Sequence, residues 1–374
     1  MRKRVYSLSE DPPGSTSFPS MLAQTKTVPQ TAARLVRFAW AVLAYNLLVI
    51  AWGAYVRASG SGAGCGKHWP LCNGQVVPAA KSIATVVEAS HRATSGIAVV
   101  AVVALMVWTL RVMPRGHRSR RASIASTVFI FGEALIGAGL VLFELVAHDT
   151  SMKRGVSMIL HLSNTFLLLG ALTVTAWTLT TERAAEKGEL ARPTGALRAG
   201  WPMLVIGLAL GSILVLGASG AIAALGDTLF PVKTLREGLA QDLSPLAHVF
   251  LKLRLLHPVF ALGTGLLVFL TASVVRVMST SARARSMSRL VTVLFATQFA
   301  LGLLNITLLA PIPMQLVHLF MADATWIALV LMAWEAIYAY APADRSAQSP
   351  IMSRNGPAPI NDVPPSTSNV DPVM

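Results

Sequence analysis

Eight apolar stretches constrain this chain more than any other feature, because each is close to the ~20 residues that a helix needs to cross a bilayer. They lie at about 35–56, 85–110, 122–145, 156–180, 200–223, 249–274, 290–310 and 315–340. Inside lipid a backbone must satisfy its own hydrogen bonds, so such stretches fold as helices. The expected class is an all-α membrane protein with eight transmembrane helices embedded in the lipid bilayer. Charged residues make up only 13% of the chain, against about 25% in ordinary soluble domains. The formal net charge of +14 invites a nucleic-acid reading, but the placement of the charges excludes it. They fall between apolar runs, as topology signals do, and no basic face alternates with aromatic residues.

Those charges also orient the chain. Arg111, Arg115, Arg118, Arg120 and Arg121 follow the second stretch, Arg183, Lys187, Arg192 and Arg198 the fourth, and Arg276, Arg283, Arg285 and Arg289 the sixth. The positive-inside rule puts these loops and both termini in the cytoplasm of a cell-membrane protein. Residues 1–34 and 341–374, rich in Pro, Ser and Thr or Asn, read as disordered cytoplasmic tails, and 182–199 as a cytoplasmic linker.

The chain repeats itself. Ala58-Ser59-Gly60 ends the first stretch and Ala218-Ser219-Gly220 the fifth. HRATSG from His91 answers HPVFALGTG from His257, EALIGAGL from Glu133 answers QFALGLLN from Gln298, and HLSNT from His161 answers HLFMAD from His318. The offset between the copies stays nearly constant along the chain, which points to duplication. The expected architecture is two pseudo-symmetric four-helix bundles, 35–181 and 200–340, whose cores can house cofactors.

His91, His161, His257 and His318 each sit a turn or two inside the outer end of an even-numbered stretch, at nearly equal depth. A single such histidine is as often a packed core residue as a ligand. Four at one depth, duplicated by the repeat, suit two bis-histidine heme sites, since heme iron takes one axial nitrogen from each side. Zinc fits poorly, because no Cys or second His stands at ligand spacing within these helices. His68, His117, His148 and His248 lie in loops or at helix edges and read as solvated.

Glu88 and His91, three apart on a helix, share a face. A carboxylate there can handle protons or stabilise developing positive charge, or it can simply pair with Arg92 or Arg57. The corresponding place before His257 holds Arg254, so only the first unit has the acid and looks equipped for chemistry. Cys65 and Cys72, the only two cysteines, bracket an outward loop where oxidising conditions permit a disulfide. A structural clip and a thiol–disulfide role in delivering electrons or receiving heme both stay open. Arg57, Arg92, Lys252 and Arg254, near the outer surface, can pair with heme propionates or merely snorkel.

At this point the residues resemble a known family. GAYVRASGSGAGCGKHWPLC from Gly53, EASHRATSG from Glu88, and the histidines at 161, 257 and 318 are similar to heme A synthase, over about residues 35–340. The resemblance implies oxidation of the C8 methyl group of heme O to a formyl group by successive hydroxylations, giving heme A for cytochrome oxidase. It implies that His91 and His161 flank the substrate heme, that Glu88 is the catalytic carboxylate, and that His257 and His318 hold a heme b cofactor with its iron. It also matches Cys65 and Cys72 to the family's loop cysteines. Heme O synthase and cytochrome oxidase assembly factors are the partners it implies; the electron donor is not indicated. Some members carry a second cysteine pair in the outer loop of the second half, and this chain has none. A di-heme b-type electron carrier, or a heme-handling assembly protein without catalysis, uses the same histidines; a carrier gives Glu88 no role.

Overall fold

A computed structural model describes residues 27–80, 82–186 and 200–338, with Leu190 and Leu197 between them. The two expected tails and the linker fall mainly on residues outside these. Among the described residues the chain is helical: α1 (Thr27–Ala58), α2 (Ile83–Val112), α3 (Arg118–Leu142), α4 (Met152–Glu186), α5 (Trp201–Leu229), α6 (Leu235–Asp242), α7 (Val249–Arg254), α8 (Leu256–Met278), α9 (Ala282–Thr307) and α10 (Ile312–Ile337). Eight spans in it are long and apolar enough to cross a membrane, α7 and α8 together forming one of them. This is a multi-pass membrane protein.

Local chemistry sets the boundaries. Ser82, Thr234 and Ser281 cap α2, α6 and α9 by accepting from the amides of Thr85, Glu237 and Ala284. The break between α7 and α8 falls at Leu255, three residues before Pro258. Proline has no amide hydrogen to give the carbonyl four residues back, so the helix parts at that turn. Two departures from the sequence reading lie in the outer loop of the second half. α5 runs on to Leu229 rather than ending near residue 223, and Asp227 in its last turns is paired with Arg254 at 2.8 Å. α6 lies in what reads as a plain loop, held by a reciprocal cap in which the amide of Lys233 donates to Glu237.

α1 packs on α2, α2 on α3, α3 on α4 and α4 on α1; α5, α8, α9 and α10 follow the same order of neighbours. The helix ends match as well. α3 ends with Glu144 at positive φ and the amide of Leu145 bonded to the carbonyl of Leu140; α9 ends with Leu309 at positive φ and Ala310 bonded to Asn305. Both are Schellman-type closures, and Leu309 follows Glu144 at the same offset by which Gln298 follows Glu133.

The two sets meet chiefly along α4, which touches α5 and α10, while α10 also touches α1. Trp326 on α10 stacks on Phe166 of α4, ring centres 5.6 Å apart, and its Nε1 donates to the Phe166 carbonyl at 2.6 Å. Further along, Trp177 Nε1 of α4 donates to the buried Glu335 of α10 at 2.8 Å. The core around this seam is Leu, Ala, Val and Phe from α1, α4 and α10.

Candidate functional site

All four histidines line one cavity of about 800 Å³ that reaches into both helix sets, within the range typical of small-molecule sites. His91 stands eight residues into α2, His161 nine into α4, His257 eight past Val249 and His318 six into α10. At 1.5 Å per residue these are distances of roughly 9–14 Å from the helix starts.

Glycines make room for the rings. A Cβ on Gly53 would lie 2.8 Å from Cε1 of His91, one on Gly220 3.1 Å from Cε1 of His257, and one on Gly302 3.0 Å from Cε1 of His318. Ala218-Ser219-Gly220 lies inside α5 rather than at its end.

His257 and His318 face each other with ring centres 6.5 Å apart and planes at 86°. Two metal–nitrogen bonds of ~2 Å, plus the reach from each nitrogen to its ring centre, span about that gap. Ser219 stands where it can set the tautomer of His257. Its hydroxyl donates to the Leu216 carbonyl at 2.7 Å, so at 2.8 Å from His257 Nδ1 it accepts, and Nε2 is left as the basic nitrogen. Gln298 lies 3.2 Å from His318 Nε2. Nδ1 of His91 and of His318 are buried without a hydrogen-bond partner among the described residues, and the one polar contact of the buried His161 Nδ1 is its 2.6 Å ion-pair approach to Glu133. Apolar walls, glycine cradles and facing imidazoles fit a heme. No cluster of three or more His, Cys, Asp or Glu able to hold a bare metal ion occurs among the described residues.

Glu88 is buried (4% exposed) and lines the cavity. Its Oε2 accepts from the backbone amide of Cys65 at 2.8 Å, and its Oε1 pairs with Arg92. Cys65 and Cys72 form a disulfide. Arg92 also donates to the carbonyls of His68 and Leu71, so Glu88 and Arg92 together hold the disulfide loop over the start of α2.

The other basic residues are engaged as follows. Arg57 crosses from α1 to the second set, where it donates to the Ala224 carbonyl at 2.7 Å, to Thr228 Oγ1 at 2.6 Å and to Gln315 Oε1 at 2.8 Å. Arg254 is clamped by Asp227 and Asp242. Both line the cavity. Lys252 is exposed, donates to the Pro245 carbonyl at 3.0 Å and does not line it.

His117 and His248, read from the sequence as solvated, are instead helix caps: their Nδ1 atoms accept from the amides of Ser119 and Phe250. His248 also lies against the rings of Phe230 and Phe250. His68 and His148 are exposed, as expected.

Sequence reasoning misses two residues of the site. Arg154, 3% exposed, donates to the carbonyls of Ala147 and Asp149 and pins the α3–α4 turn at the cavity wall. Glu133 Oε2 lies 2.6 Å from His161 Nδ1. A signal for Glu133 exists: a lone acid within an apolar span is costly and by default functional.

The sequence model of the cytochrome oxidase assembly protein family matches residues 36–330, from within α1 to within α10. Two Thermus thermophilus proteins, from different strains and both named protoheme IX farnesyltransferase, are 43% identical over 305 residues, which is 82% of this chain and 49% of theirs. A Bacillus cereus heme A synthase is 39% identical over 113 residues, 30% of this chain and 36% of its own. The chain thus spans about half the length of the Thermus relatives and a little over a third of the Bacillus one. A family match over most of the chain, resting on the same spans that bring the four histidines together, shows that this protein belongs to the heme A synthase family of cytochrome oxidase assembly proteins.

Proposed function

We propose that this protein is a heme A synthase, which oxidises the C8 methyl group of heme O to the formyl group of heme A. The observation that carries the reading is the asymmetry of one cavity: both histidine pairs line it, and only His91 has a buried carboxylate, Glu88, one helical turn away. The net change is CH3 to CH2OH to CH(OH)2: each step takes one oxygen atom from dioxygen, whose second atom leaves as water with two electrons and two protons from an external reductant, and the diol then loses water to leave CHO.

In this proposal His91 and His161 hold the substrate heme from opposite faces. His257 and His318 hold heme b, which supplies one-electron transfer when bound. Glu88 keeps a fixed negative charge beside the reacting edge, where it stabilises positive charge developing at the carbon under oxidation. Arg92 and the Cys65 amide hold that carboxylate in place. Apolar walls keep bulk water away from the intermediate oxidation level. Arg57, Arg92 and Arg254 are the proposed propionate contacts within the cavity, and Lys252, outside its lining, is the weakest of the four.

The loops after the second, fourth and sixth spans are placed in the cytoplasm with both termini, by the positive-inside rule. The two helix sets are read as units related by duplication, supported by the recurring order of neighbours and the matched closures of α3 and α9. Partnership with the enzyme that makes farnesylated heme is supported by the Thermus relatives, whose name gives them that farnesyl transfer and half of whose length this chain matches.

The test is extraction of hemes from the purified protein, separated by reverse-phase chromatography with mass detection. Heme b together with heme O, heme A or a hydroxylated intermediate is expected, and Glu88→Ala should accumulate heme O or a partly oxidised heme. Heme b alone, at two per chain and unchanged when heme O, oxygen and reductant are supplied, would make the protein an electron carrier.

A further inference from the structure

We propose that Glu133 is a positioning residue for the first histidine pair. It holds the ring proton of His161 on Nδ1, so that the bare Nε2 faces the heme, and its charge makes His161 a stronger electron donor than any ring in the second pair. This deepens the reading above and rests on it.

The carboxylate is built into place. Oε2 lies 2.6 Å from His161 Nδ1, and Oε1 accepts from Asn164 Nδ2 at 2.7 Å and from Thr165 Oγ1 at 3.0 Å. Asn164 is held in turn by the Phe129 carbonyl at 2.8 Å. It comes this close because position 132 is glycine, where a Cβ would stand 2.8 Å from Asn164 Oδ1. Asn164 donates to Oε1, and the Thr165 hydroxyl is shared between Oε1 and the His161 carbonyl at 2.9 Å, which leaves Oε2 free to face His161 Nδ1. A carboxylate on the far nitrogen of a metal-bound histidine fixes its tautomer and raises its basicity.

The second helix set supplies an internal control. Gln298 stands in α9 where Glu133 stands in α3, and it lies against Nε2 of His318. The partner of His257 is the neutral hydroxyl of Ser219. Among the described residues only one ring of the four has an anionic partner on Nδ1, and it is in the half that carries Glu88. A more basic axial ligand stabilises the more positive, ferric state of its iron. The first site is thus set to a lower potential than a neutral partner would give.

The experiment uses the full chain, purified in detergent with its hemes, and compares Glu133→Gln, Glu133→Asp and Gln298→Glu by redox titration and electron paramagnetic resonance. Glu133→Gln is expected to raise the midpoint potential and change the ferric signal of the first site only, and to weaken heme binding there by about 10–100-fold. Glu133→Asp should restore part of both, and Gln298→Glu, which acts on Nε2 of His318, should leave the potential of the first site unchanged. Unchanged potential, signal and affinity in Glu133→Gln would overturn the proposal and leave Glu133 as an interhelical hydrogen-bond partner. His161→Ala separates the two readings: loss of the first heme supports the bis-histidine site on which the proposal stands. Retention of both hemes with unaltered signals removes that site and the proposal with it.

Discussion

The backbone amide of Cys65 donates to Oε2 of Glu88 at 2.8 Å, so the disulfide loop and the carboxylate beside His91 move as one body. Hydrogen bonds to charged groups contribute about 1.5–3 kcal/mol. Cys72→Ser should loosen the loop, weaken this bond and leave Glu88 to Arg92 alone. Hydrogen exchange across 61–77 is expected to speed up and turnover to fall, while the heme held by His257 and His318 stays at full occupancy. Unchanged exchange and turnover would show that the loop is held without the disulfide.

The glycine cradles give a position-by-position prediction. Gly53→Ala should cost heme at the first pair, because the new Cβ meets the His91 ring at 2.8 Å; Gly220→Ala and Gly302→Ala should act on the second pair. Gly96→Ala and Gly207→Ala, with nothing within 4 Å, are the controls and should bind heme normally. Heme content per chain and the absorption spectrum decide; uniform effects across all five would refute the cradle.

Arg57 ties α1 to α5 and α10 through three hydrogen bonds from one guanidinium. Arg57→Ala strips a donor from Gln315, Thr228 and the Ala224 carbonyl together, and a buried neutral acceptor left unsatisfied costs about 1–3 kcal/mol. The melting temperature should fall by several degrees. Arg57→Lys should recover little, since a point charge cannot reproduce the planar fork. Full recovery by lysine would mean that charge alone matters there.

His117→Ala tests a histidine with a different job. Losing a helix cap costs about 1 kcal/mol, so a slightly lower melting temperature with unchanged heme content is expected. Loss of heme would place His117 in the site, against its position at the start of α3.

The eight spans are legible in the sequence because lipid demands long apolar helices, and the similar distance of the histidines from the helix starts is legible because helix rise is constant. What sequence does not show is who meets whom across helices. Arg57 and Arg254 read as propionate contacts or snorkelling cations, yet their partners Gln315, Asp227 and Asp242 lie far along the chain or on other helices. Glu133 reads as a repeat marker and not as a partner of His161, since the two are well separated in the chain and meet only when α3 packs on α4. The second Ala-Ser-Gly triplet misleads about where α5 ends, because the helix runs on to Leu229. The caps at His117 and His248 escape notice because capping depends on backbone geometry at one turn.

α4 carries His161 and α10 carries His318, and the two helices are pinned at two heights, by Trp326 on the Phe166 carbonyl and by Trp177 on Glu335. Two pins at different levels forbid sliding as well as tilting. A ruler with two fixed marks cannot be reset at one end only. Any substitution that lets α10 creep along α4 changes the relative height of His161 and His318, so the vertical spacing between the two histidine pairs is inherited as a single dimension of the fold.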